Sequence, residues 1–208
     1  MDFNTILNNR VTNFTWSDEK VDNDEIKDIV NSVLSKVPSK QKRMPYSITV
    51  LDYSDAELRK DIFFHTHRDE EKTVEDDDGN PQTLAPILLA FSKRNPDYSK
   101  LAWETTDNDV TGFTDERIIY MEMGIASMYL MTAFENAGLS TGFCQCIVDK
   151  PGLGRKLGLN YPVDLLMGVG YKSDSNEFLD PRTDTVKPVY YETHHVRPSL
   201  EEVVTFKF

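Results

Sequence analysis

The sequence predicts a single α/β domain with helices layered on a sheet. Two observations carry that reading. The 208 residues suffice for one well-buried domain but not for two independent ones. Helix-period and strand-period segments also alternate along the chain, with no internal repeat or low-complexity linker between them.

Phe3, Ile6 and Leu7 suggest a short opening helix ending near Arg10. Residues 22–37 read as an amphipathic helix, with Ile26, Ile29, Val30, Val33, Leu34 and Val37 on one face. Asp22, Asp24 and Glu25 suit its positive end, and Pro38 stops it. Tyr46 to Asp52 alternates like a strand. Ser54 and Glu57 then form a capping box for a helix to about Phe64. Arg68 to Gln82 is acidic, closes on Gly79-Asn80-Pro81, and reads as a solvated loop. Leu84 to Phe91 is a short continuous apolar run, as in a strand buried on both faces.

Residues 95–114 are irregular and polar but carry Trp103 and Phe113, which makes the segment a candidate lid. A long helix follows from about Asp115 to Ala137, between Thr114 as N-cap and Gly138 as terminator. Ile118, Ile119, Met121, Met123, Ile125, Met128, Leu130, Met131 and Phe134 surround it almost completely. Such a helix is buried on every side, either centrally or at a subunit interface. Strands are predicted over Thr141–Val148 and Leu165–Tyr171, with a short helix between, and over Val203–Phe208. Residues 180–196 hold too little apolar surface for a core of their own. They are expected to wrap another surface, such as a partner subunit.

A net charge of -12 argues against broad binding to nucleic acid or anionic membrane, since both are polyanions. It leaves room for one locally basic phosphate pocket. No run approaches the roughly 18 apolar residues of a membrane helix. Met1 to Asn4 shows no basic stretch leading into an apolar one, so the expected location is the cytoplasm. Cys144 and Cys146 are too close for a typical stabilising disulfide and are expected to be buried.

Three segments could carry chemistry. Arg10-Val11-Thr12 sets a guanidinium beside a hydroxyl, a pairing that suits phosphate. Pro38 to Arg43 packs a hydroxyl and three cations into one turn. Gly138 to Phe143 joins the long helix to a strand, and glycine there lets backbone N–H groups approach a flat ligand. Taken singly, each also reads as ordinary surface or capping structure. Gly152-Leu153-Gly154 lacks the third glycine of a dinucleotide fingerprint. His65 with His67, and His194 with His195, lack the spacing of a zinc motif, so no metal is expected.

Together and in order, these segments resemble the nitroreductase family of FMN-dependent oxidoreductases over nearly the whole chain. Arg10-Val11-Thr12 is similar to the family's Arg-x-Ser phosphate motif, and Trp16 to the aromatic that closes it. Pro38-Ser39-Lys40-Gln41-Lys42-Arg43-Met44-Pro45-Tyr46 resembles its Pro-Ser-Ser-x-Asn-x-Gln-Pro-Trp stretch. Ala85 to Ala90, Met121 to Gly142, Leu157 to Tyr171 and Arg197 to Val204 resemble its later strand, dimer helix with flavin loop, late helix and strand, and terminus. The second basic residue usual after the first Arg is absent, with Phe14 near its place. Lys42 and Met44 stand where Asn and Gln are usual.

The resemblance implies a three-layer α+β sandwich: a central, mostly antiparallel sheet flanked by helices, in an intertwined homodimer whose residues 180–208 extend over the partner. It implies that FMN lies at the subunit interface. Arg10, Thr12 and Arg197 would hold its phosphate, and Val11 would offer backbone. Ser39, Lys40 and Lys42 would reach in from the second subunit, and Asn80 would contact the flavin pyrimidine. Thr141 and Gly142 would line the ring, with the Gly142 N–H donating to N5. No side chain is the nucleophile or an obligatory acid. The implied activity is ping-pong transfer of electrons from NAD(P)H to a small acceptor such as a nitroaromatic or quinone. The alternative is a flavin carrier or redox sensor without efficient turnover.

Overall fold

The computed structural model describes residues 2–66, 79–94, 116–189, 198–205 and 207. The described elements run α1 (Phe3–Asn9), α2 (Asn23–Leu34), a 3-10 turn (Lys40–Lys42), β1 (Tyr46–Leu51) and α3 (Ala56–Phe64). A second 3-10 turn (Pro81–Leu84), β2 (Ile87–Lys93), α4 (Glu116–Asn136), β3 (Ser140–Cys144) and α5 (Lys150–Lys156) follow. The chain then forms β4 (Val163–Gly170), β5 (Glu177–Asp180), β6 (Thr185–Pro188) and α6 (Leu200–Val203).

The central sheet has the order β1-β2-β4-β3, with every neighbour antiparallel. Strand alternation divides its apolar side chains between two faces. Leu89, Phe91, Met167 and Val169 pack beneath Ile26 and Val30 of α2 and Met123, Ala126, Leu130 and Phe134 of α4. Leu88, Ala90 and Leu166 meet Ile62 of α3 and Leu153 of α5 on the other face. Three layers result. Both faces of β2 and β4 are covered, which explains their unbroken apolar runs despite antiparallel pairing.

Several boundaries depart from the sequence reading. The N-cap of α3 is Asp55, whose carboxylate accepts from the Leu58 N–H at 2.9 Å, while the Ser54 N–H donates to Asp52. The part of the expected solvated loop that is described, residues 79–82, is buried instead. Gly79 adopts φ +61, and an added Cβ would meet the Phe63 ring at 2.4 Å. Arg59 fixes the turn that follows, donating from Nη2 to the Thr83 carbonyl at 2.8 Å and to that of Ala85.

Residues 177–188 form a hairpin, β5 with β6, rather than an unstructured tail. Phe178 and Val189 pack with Phe63. The buried Asp180 carboxylate accepts from Arg182 Nη2 at 2.6 Å and lies 3.0 Å from Lys187 Nζ. Leu200–Val203 is helical where a final strand was expected, and Val204 and Thr205 are irregular. The expected lid at 95–114, the Thr114 cap, residues 68–78 and Arg197 lie outside the described residues.

Among the described residues no helix is long and apolar enough to cross a membrane. Among the described residues, the long helix α4 is covered on one side only. Ile119, Met123, Ala126, Leu130 and Phe134 are buried, while Tyr120, Met121, Met128 and Tyr129 are 43–59% exposed on the opposite side. Central burial is thereby overturned.

Candidate functional site

The first cluster forms where α1 hands the chain to β3. Asp2 caps α1 by accepting from the Thr5 N–H, and Arg10 ends it with an extended backbone. The next residues run beside β3, where the Asn13 N–H donates to the Thr141 carbonyl at 2.9 Å. An added Cβ on Gly142 would meet the Asn13 carbonyl oxygen at 2.2 Å, so only glycine permits this approach. Val11 and Thr12 are exposed, Arg10 is half-buried and Thr141 is buried.

Glu135, near the C-terminus of α4, joins this cluster. It accepts from Thr141 Oγ1 at 3.3 Å. Burial pushes its carboxyl above the usual range, against the hydrogen bonding of Thr141 and the positive charge of Arg10. The strand geometry also fixes the direction of the Gly142 backbone. In an antiparallel strand the N–H and C=O of one residue point to the same side, and the side alternates along the strand. The Thr141 carbonyl faces Asn13 on the open edge, so the Gly142 N–H turns inward toward its ladder partner Gly168.

Asn80 lies on the adjoining 3-10 turn, buried. Its Oδ1 accepts from the Gln82 N–H at 3.0 Å, and its Nδ2 donates to Gln82 Oε1 at 3.2 Å and to Cys144 Sγ at 3.1 Å. Gln82 in turn lies against Gly142, so Asn80 joins the first cluster through Gln82.

The second cluster surrounds the Lys40–Lys42 turn. Glu122 of α4, buried to 3% exposure, accepts from Ser39 Oγ at 2.6 Å and from the Lys40 N–H at 2.9 Å. Ser39 Oγ also accepts from the Met44 N–H at 2.8 Å. This brace holds two non-glycine residues in left-handed conformations, Lys42 at φ +57 and Met44 at φ +46. Lys40 and Lys42 are exposed. Beside Glu122, burial and then the negative charge of that carboxylate push the Tyr46 phenol up to about 12.

Arg10, Val11, Thr12, Thr141 and Gly142 therefore come together, with Asn80 one residue removed. Ser39, Lys40 and Lys42 stay apart from them. Both clusters are anchored on α4, through Glu122 and Glu135, which lie roughly 20 Å apart along the helix. Three of the residues that build them escaped the sequence reading: Asn13, Glu122 and Glu135. Glu122 had a signal, a carboxylate set within the apolar run Ile118–Ile125 of α4. Asn13 had none, because its role depends on a strand more than a hundred residues away.

No protein-family model matches the sequence, and no curated protein matches it. Solved structures match over the full length. A nitroreductase-like protein from Streptococcus mutans superposes with a TM-score of 0.69 at 16% identity, over 99% of this chain and 98% of that one. The FMN and NADPH-dependent nitroreductase of Sphigopyxis sp. strain HMH gives 0.65 at 13%, over 100% of both chains. An FMN-dependent nitroreductase from Clostridium difficile R20291 gives 0.61 at 17%, over 98% of both. The architecture of this chain is the nitroreductase fold.

Proposed function

We propose that this chain is a homodimeric, FMN-dependent oxidoreductase that passes electrons from NAD(P)H to a small acceptor. The observation that carries the proposal is the first cluster: Arg10 and Thr12 at the surface, just before Asn13, which meets Thr141 and Gly142 in a nitroreductase fold. A guanidinium and a hydroxyl, partly or fully exposed in a chain of net charge -12, fit a phosphate monoester. Arg10 and Thr12 hold that phosphate with Arg197, Val11 offers backbone, and Thr141 and Gly142 line the ring. Asn80 shapes the pyrimidine end of the site through Gln82.

Two further observations support the dimer. The two clusters sit about 20 Å apart along α4, an arrangement in which Ser39, Lys40 and Lys42 of a second copy complete the site. The exposed apolar side of α4 continues into a cleft of about 620 Å³ lined by Phe3, Ile6, Val33, Met128, Tyr129 and Ala133. Such a surface is suited to burial against its own copy. Of the expected extension over residues 180–208, the hairpin strands pack on their own chain, with Val189 against Phe63. When bound, FMN would supply the redox chemistry for ping-pong transfer of electrons from NAD(P)H to a nitroaromatic or quinone. The protein's part is to bind, orient and shield, in the cytoplasm.

The purified protein is expected to be yellow and to bleach when NAD(P)H is added without oxygen. A colourless preparation that also fails to take up FMN overturns the proposal. A yellow protein that does not bleach selects a carrier or sensor instead. Arg10→Ala is expected to cost about 2 kcal/mol of FMN affinity, read by titration of flavin fluorescence. Unchanged affinity removes Arg10 from the site.

A further inference from the structure

Cys144 and Cys146 flank the point where β3 ends. Cys144 is the last residue of the strand, pairs with Leu166, and is 1% exposed. Cys146 is exposed, contrary to the expectation that both cysteines are buried. Between them the chain turns sharply: the Ile147 N–H donates to the Gln145 carbonyl at 2.8 Å, a γ-turn centred on Cys146. Extended residues two apart are separated by about 6.6 Å at Cα. That is near the upper end of the roughly 4.4–6.8 Å that a disulfide spans. Residues two apart on an extended chain share a face, and the Cys146 side chain acts directly on the Cys144 thiol.

We propose that Cys144 and Cys146 form a redox-active dithiol that reduces low-molecular-weight disulfides of the glutathione type and is itself oxidised to an internal disulfide. This chemistry is separate from the proposed flavin reaction and needs no flavin. Exposure assigns the order of events. The Cys146 thiolate attacks one sulfur of the incoming disulfide, forming a mixed disulfide and releasing one thiolate, which takes up a proton. Cys144 then attacks the Cys146 sulfur, giving its own proton to the second departing thiolate. Two electrons leave the pair, one S–S bond is broken in the reagent, and one forms in the protein.

The surroundings separate the two roles. The hydrogen bond with Cys146, followed by burial, pushes the Cys144 thiol above its ordinary range, so Cys144 waits protonated. The Asn80 amide donates to Cys144 Sγ at 3.1 Å and would stabilise the charge that develops on that sulfur as it attacks. A buried second thiol out of reach of bulk reagent favours closing the ring over a second glutathione adduct.

The test uses the full-length protein as purified, reduced, freed of reductant and exposed to glutathione disulfide. Intact mass spectrometry is expected to show the loss of two hydrogens with no lasting adduct. Thiol titration should fall from two per chain to none, and peptide mapping should join Cys144 to Cys146. Cys144→Ser is expected to accumulate the glutathione adduct on Cys146, whereas Cys146→Ser should lose the reaction. A stable adduct on the unmodified protein, a disulfide between chains, unchanged mass, or undiminished reaction in Cys146→Ser would each overturn the proposal. The unmodified protein alone decides the main point, so poor folding of a variant leaves the test intact.

Discussion

Lys42 shows how a single residue can be held against its own preference. A left-handed backbone costs an L-residue with a long side chain about 1 kcal/mol, and position 42 holds φ +57 because Glu122 grips Ser39 and Lys40 just before it. Asparagine tolerates that conformation better. Lys42→Asn is therefore expected to raise stability by about 0.5 kcal/mol, measured by urea denaturation; a loss would mean that the lysine side chain contributes more than its backbone costs. The cations of this turn were legible in the sequence, but its shape was not. No local pattern states that a carboxylate about eighty residues later will brace it.

At the scale of elements, α2 was the most legible, because Asp22 caps it and Ile26 and Val30 fix its buried face within one segment. The long helix α4 was legible in position but not in surroundings, since an apolar composition cannot say whether its neighbours belong to the same chain. Its exposed stripe runs through Met121, Gly124 and Met128, and Gly124 has open space where a Cβ would stand. Met128→Lys is expected to shift the proposed dimer to monomer in sedimentation velocity and to weaken FMN binding with it. A variant that stays dimeric would place the interface elsewhere. The hairpin β5–β6 was illegible for another reason. Its sequence is polar, and its place on Phe63 depends on Asp180, Arg182 and Lys187 pairing in the fold rather than meeting solvent.

For the whole molecule, that buried pairing links stability to pH. Burial opposes ionisation of Asp180, but the hydrogen bonds from Arg182 and Lys187 outweigh it and hold the carboxyl below its ordinary value of 3.8. Asp180 therefore stabilises the fold above that value, and the contribution fades as pH falls through the lower folded-state value. Asp180→Asn is expected to cost about 3 kcal/mol near neutrality and to flatten the acid limb of stability against pH. An unchanged acid limb would assign the acid sensitivity to other carboxylates. The layered α/β class was legible from alternating periodicities, while the three-layer arrangement was implied only by the family resemblance.

The contact between Asn13 and Thr141 has a consequence beyond the candidate site. β3 is a border strand of the central sheet, and an unclaimed border invites other chains to add strands of their own. The N-terminal segment lies along that border like a selvedge, its N–H at Asn13 already bonded to the strand. Removing residues 1–14 should thus leave the core largely intact yet make the protein self-associate into β-rich aggregates. Light scattering and thioflavin fluorescence would detect them, and a shortened chain that stays clear in solution would show that the border is sealed by something else.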